Sequence, residues 1–243
     1  MTTPFLTISL LILSVVAGGL LVDLLEKKKQ SLLIKLTLAL SGGFLLSIAF
    51  THFLPELYHH HINHIGVWVL VGFLIQLFLE YFSGGIEHGH IHTHSKVPFS
   101  LLFSLSVHSF IEGIPLASTS VSHAGHSHHG MFENSPLLLG IILHQFPVAI
   151  ALMTVFKQSA LSKSTSWVLL LLFSTMIPLG YVMGHFMPNS VDSNTMQILL
   201  AVVVGMFLHI STTIIFETNE NHRFNFLKLA SILAGVGLSL LIS

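Results

Sequence analysis

Residues 98–119 read PFSLLFSLSVHSFIEGIPLAST. At 1.5 Å per residue, a helix of this length crosses the ~30 Å hydrocarbon core of a bilayer. It holds no Lys, Arg or Asp, yet His108 and Glu112 lie near its middle. An ionisable residue at that depth costs at least ~2.5 kcal/mol to insert. Only a partner or an aqueous cavity offsets such a cost. The stretch therefore reads as a membrane helix with a functional group at its centre.

The rest of the chain agrees. Of 243 residues, 8% are charged and 52% hydrophobic. A soluble domain carries roughly 25% charged residues, so a soluble enzyme and a disordered chain are both excluded. Seven further stretches are long and apolar enough to span: about 4–25, 34–57, 65–83, 136–156, 166–187, 196–217 and 225–242. The expected fold class is all-α: a polytopic membrane protein of eight transmembrane helices in one domain, residues 1–243. The first stretch is too long, and lacks the basic start, for a cleaved signal peptide.

The cations fix the sidedness. Lys27, Lys28, Lys29, Lys35, Lys96, Lys157, Lys163, Arg223 and Lys228 all fall on one side of an eight-span chain. The positive-inside rule makes that side cytoplasmic, with both termini outside. A plasma membrane or bacterial inner membrane fits. Near-neutral net charge argues against nucleic acid as a partner. Gly42-Gly43-Phe44-Leu45 in span 2 echoes Gly205-Met206-Phe207-Leu208 in span 7, and the two spans run in opposite directions, as an inverted repeat requires.

Eighteen histidines and no cysteine point to imidazole rather than thiolate chemistry. His88, His90, His92 and His94 lie in the cytoplasmic loop 84–97. His123, His126, His128 and His129 lie in the outer loop 120–135. Such tracts read compositionally as metal-binding, or as solvated loops that contact nothing fixed.

Within the membrane, His108 and Glu112 are one turn apart and share a helix face. Pro115 lacks the N–H that would bond a carbonyl beside them, so that carbonyl is expected to be free. In span 5, His144 and Gln145 of HQFP enter from the outside to a similar depth. His108, Glu112, His144 and Gln145 then make a mixed N/O site suited to Zn²⁺, Fe²⁺ or Mn²⁺. The bland alternative is hydrogen-bonded glue between helices. His52 and Glu56 of THFLPE, near the outer end of span 2, either guide ions inward or anchor the helix. His209 lines a path or bonds a neighbouring carbonyl. Glu80, Glu217, Asp23 and Glu26 read as solvated helix ends.

These motifs resemble the ZIP (Zrt/Irt-like) family of divalent metal transporters. SGGFLLSIAFTHFLPEL is similar to the family's second-helix signature, and GMFLHISTTIIFE to its seventh. HSFIEG resembles the fourth-helix metal motif, with Ser109 where Asn is usual. The resemblance implies a ZIP-like bundle and metal uptake through a site between helices 4 and 5. The fifth-helix motif departs from the family. Val148 and Ala149 stand where further ligands are usual, and Gln145 where an acid often follows. One intramembrane metal rather than two is therefore inferred.

The expected function is transport of a divalent cation, zinc first and iron or manganese next, toward the cytoplasm by alternating access. Ser109 and His209 are auxiliary positions, and the 88–94 histidines receive or sense the ion. The partners are the metal and the bilayer, with a homodimer as an option. No cofactor is expected beyond the transported or bound ion. Two rival readings are a metal-binding or metal-sensing protein that does not transport, and an intramembrane zinc hydrolase. The second lacks HExxH and a spare general base.

Overall fold

The computed structural model describes residues 4–25, 27–59, 62–83, 99–119, 136–159, 161–187, 193–217 and 226–242. They form helices with no strand among them. The helices are α1 (Pro4–Leu24), α2 (Lys27–Ile48, continued by Ala49–Phe53 and Leu54–His59), α3 (Ile65–Ser83) and α4 (Phe99–Gly113, then Leu116–Thr119). They continue with α5 (Pro136–Gln158), α6 (Lys163–Ser174 and Met176–Phe186), α7 (Ser193–Glu217) and α8 (Phe226–Ile242). Six are long and apolar enough to cross a membrane, and Phe99–Gly113 and Phe226–Ile242 are shorter apolar helices. Phe78, Phe103, Phe186 and Leu241 point outward. An exterior of large apolar side chains suits lipid rather than water. The chain is an integral, multi-pass, helical membrane protein.

Where prolines interrupt the helices the reason is the same, since each lacks an N–H and its ring crowds the carbonyl four residues back, although α5 runs on through Pro147. Pro55 coincides with a π-turn over Ala49–Phe53, in which the Leu54 N–H bonds the Ala49 carbonyl. His52 lies within this turn. Pro178 coincides with the break of α6 at Thr175, whose N–H bonds Leu172 instead. At Pro115, the Ile111 carbonyl accepts from the Ile114 N–H at 3.3 Å. The carbonyl expected to be free is thus taken up by a tightened turn.

The helices pack as two groups. In one, α2 lies on α8 and on α7, and α3 lies on α7. In the other, α1 lies on α5, α4 lies on α6, and α6 also touches α1 and α5. The groups meet where α2 faces α5 and where α3 faces α4.

Glycines set the closest approaches. A Cβ at Gly43 would fall on the Ile232 carbonyl, and one at Gly235 on the Leu40 carbonyl. Likewise, a Cβ at Gly205 would fall on the Val69 carbonyl, and one at Gly72 on the Val202 carbonyl. The α2–α8 contact thus repeats the α7–α3 contact, matching Leu40 with Val202 and Gly43 with Gly205. The short echo read from sequence paired Gly42 with Gly205 and is one residue out of register. Composition alone supplied that match. The second group repeats in the same way. Gly180 lies on the Phe110 carbonyl of α4, as Gly18 lies on the Phe146 carbonyl of α5. This matches His108 with His144, Ser109 with Gln145 and Glu112 with Val148.

Gly72→Val tests this packing. Its methyls meet backbone that cannot yield, so about 3 kcal/mol of stability is lost, at the upper end for overpacking. Gly237→Val meets nothing within 4 Å and serves as the control. Thermal unfolding in detergent should show a lower midpoint for the first and none for the second. Equal midpoints would remove the close α3–α7 contact from the account.

Candidate metal centre

α4 and α5 carry the central groups to one level from opposite halves of the repeat. His108, Glu112 and His144 are fully buried, and each offers a ligand atom within 4.8 Å of the others'. Around zinc, bonds of ~2.0 Å at tetrahedral angles place ligand atoms about 3.3 Å apart. Movements of side-chain size would close the set. The two imidazole rings stand edge to face, 5.9 Å between centroids.

The hydrogen bonds decide which atoms face inward. His108 Nδ1 lies 2.8 Å from Gln76 Oε1 on α3. An amide oxygen only accepts, so Nδ1 carries a proton, and in the neutral imidazole the lone pair is then on Nε2. That Nε2 is 2.9 Å from Glu112 Oε1. Oε1 accepts no hydrogen bond of good geometry among the described residues. A ring nitrogen and a carboxylate oxygen this close share a positive charge, which either a proton or a divalent cation supplies. His144 Nδ1 lies 3.4 Å from Ser41 Oγ on α2.

Gln145 is brought to the same place but presents its amide nitrogen. Nε2 donates to Ser109 Oγ at 2.9 Å and to Glu112 Oε2 at 3.5 Å. An NH₂ group cannot ligate, so in this arrangement Gln145 steadies the carboxylate and Ser109 steadies Gln145.

The other sequence candidates lie apart from this cluster. His52 Nε2 and Glu56 Oε2 are 3.7 Å apart on α2 and about two-fifths exposed. His209 is buried on α7, with Nε2 3.4 Å from Glu80 Oε2 on α3 and its ring edge-on to Phe73. Glu80 is thus a partnered, largely buried group rather than a solvated helix end. Asp23 departs from expectation in the same way, pairing with Lys157 and Lys163 and accepting from Trp167. Both partnerships cross between helices, where the order of spans gives no sign. His88, His90, His92, His94 and the outer-loop 120–135 histidines lie outside the described residues. Gln76 and Ser41 were not singled out from sequence. A lone Gln in an apolar span was the only available signal.

Comparison with known proteins now bears on this arrangement. Residues 83–243 match the family described as ZIP zinc transporter. The chain belongs to that family. Protein zntD of Dictyostelium discoideum is 27% identical over 172 residues, which take in 64% of this chain and 24% of that protein. An uncharacterized protein of Methanocaldococcus jannaschii is 26% identical over 209 residues, 82% of each. Zinc transporter ZIP1 of Plasmodium falciparum is 24% identical over 258 residues, 74% of this chain and 69% of that one. The chain thus spans only about a quarter of the first relative's length. ZIP proteins are transporters and not enzymes, so the hydrolase reading falls. The family match takes in α4 and α5, and with them His108, Glu112 and His144.

Proposed function

We propose that this chain moves divalent metal ions, zinc first, across the membrane toward the cytoplasm through the His108–Glu112–His144 site. The observation that carries the reading is the convergence of two imidazoles and one carboxylate, all fully buried, where the two helical groups meet. A buried carboxylate in a membrane is costly unless paired. Two nitrogens and one or two carboxylate oxygens suit zinc, with iron or manganese next.

The ion reaches the site past His52 and Glu56, which the π-turn of α2 sets at a half-exposed position. It sheds water onto His108, Glu112 and His144, while Gln145, itself bonded to Ser109, holds the carboxylate. Movement of α1, α4, α5 and α6 against α2, α3, α7 and α8 then opens the site inward. Glu80 and His209 line the inner half of the path.

The test is zinc uptake into liposomes holding the purified chain and an enclosed zinc indicator. The expected result is a saturable signal above empty liposomes, reduced by manganese or iron(II) and indifferent to magnesium, which keeps its water and prefers all-oxygen sites. Tight stoichiometric binding with no flux would replace transport with the second reading, a metal-binding membrane protein. Val148, standing where Glu112 stands in the other half of the repeat, is what favours that alternative.

A further inference from the structure

Gln76 is fully buried on α3, a helix that otherwise turns Val67, Leu70, Leu74, Leu77 and Phe78 outward. Its amide oxygen meets His108 Nδ1 at 2.8 Å. We propose that Gln76 is a positioning residue for the transported metal, fixing the tautomer and ring angle of His108 from the opposite helical group. This rests on the transport-site reading above.

The chemistry runs through one proton. With Gln76 Oε1 as acceptor, the ring proton stays on Nδ1 and the Nε2 lone pair faces Glu112 and His144. The other tautomer would put a hydrogen where the metal must bind. A partner on the far nitrogen also raises the basicity of a ligating imidazole. His144 has a looser contact from the same group, its Nδ1 lying 3.4 Å from Ser41 Oγ, a hydroxyl that can donate or accept and so leaves the tautomer open. Both contacts reach across from α2 and α3 to α4 and α5. The ligands themselves lie on α4 and α5, so what depends on the relative position of the two groups is the support behind them. Sliding them apart breaks the Gln76 bond, frees the ring and loosens the ion.

The experiment uses the full chain in nanodiscs, with Gln76→Leu, Gln76→Glu and Glu112→Ala beside the wild type. Zinc affinity, the visible spectrum of bound Co²⁺, thermal midpoint, and KM and Vmax for zinc uptake are read on each. Gln76→Leu removes the acceptor at similar volume. It should weaken zinc binding about 10- to 100-fold, the usual effect of losing a ligand's hydrogen-bond partner. KM should rise with Vmax held, and the Co²⁺ spectrum should change. Gln76→Glu, as the carboxylate, keeps an acceptor that cannot donate and should restore affinity. Gln76→Leu matching wild type, while Glu112→Ala loses binding, overturns the inference and leaves the transport site standing. Equal loss in Gln76→Leu and Gln76→Glu also overturns it, because packing alone would then be at work. Glu112→Ala matching wild type removes the site itself, and the role of Gln76 with it.

Discussion

Glu112→Ala should reduce zinc flux by more than about 100-fold, exceeding the usual cost of losing a mere supporting partner. Glu112 is the one carboxylate in the buried cluster. His108 Nε2 lies 2.9 Å from its Oε1, and Gln145 Nε2 lies 3.5 Å from its Oε2. Removing it leaves two neutral imidazoles to strip water from a divalent ion, with no negative charge to offset the desolvation. Glu112→Gln keeps the volume and should fail nearly as badly, because its oxygen is neutral. Glu112→Asp keeps the charge on a shorter arm and should retain partial flux with a higher KM. Folding separates from chemistry here. Glu112→Gln keeps the volume and removes the buried charge, so the glutamine protein should remain monodisperse and melt close to wild type, whereas Glu112→Ala also leaves a cavity and takes the acceptor from Gln145. Liposome uptake with detergent melting on the same preparations reads both. Wild-type flux in Glu112→Ala would sink the assignment of the site.

The sequence was most informative where lipid is the solvent. A membrane helix must close every backbone hydrogen bond within itself and show apolar side chains around its length. Spans therefore stand out as apolar runs without any knowledge of their neighbours. His108 and Glu112 were visible for the same reason: they share one helix, and helical periodicity alone puts them on one face. What escaped notice depends on two helices at once. Gln76 looks like any polar residue in an apolar run until α3 is laid beside α4. Glu80 and Asp23 read as solvated ends until His209, Lys157, Lys163 and Trp167 close on them from other helices. The repeat was visible as a principle but not in register. Leu and Phe recur too often for four positions to set an alignment, whereas glycine placed on a carbonyl admits no shift. Gln145 shows the opposite limit. Its presence at the site could be read from the chain, but which end of its amide faces Glu112 could not.

Val148→Glu should turn one metal into two. The repeat superposes Val148 on Glu112 and His144 on His108, so a carboxylate at 148 follows His144 by one turn, as Glu112 follows His108. Val148 is buried at 2% exposure. The repeat is uneven at the next shell as well, since Gln76 of α3 matches Ser239 of α8. One half thus carries Gln76, His108 and Glu112, and the other carries Ser239, His144 and Val148. The present site has low negative charge and should bind moderately and release readily, as any passage that must let its ion leave requires. An added carboxylate has two consequences of opposite sign. Without metal it is a second buried charge, costing at least ~2.5 kcal/mol at this depth, so the metal-free midpoint falls. With zinc, the gain from binding the folded state grows with affinity, so the zinc-induced rise in midpoint becomes larger than in wild type. Binding stoichiometry should go from one to two, and uptake should slow as release becomes limiting. Calorimetric titration, melting with and without zinc, and initial uptake rates measure the three effects. A stoichiometry of one with an unchanged zinc-induced shift would mean that position 148 does not face the ion. The symmetric superposition of α4 on α5 would then be wrong at the site itself.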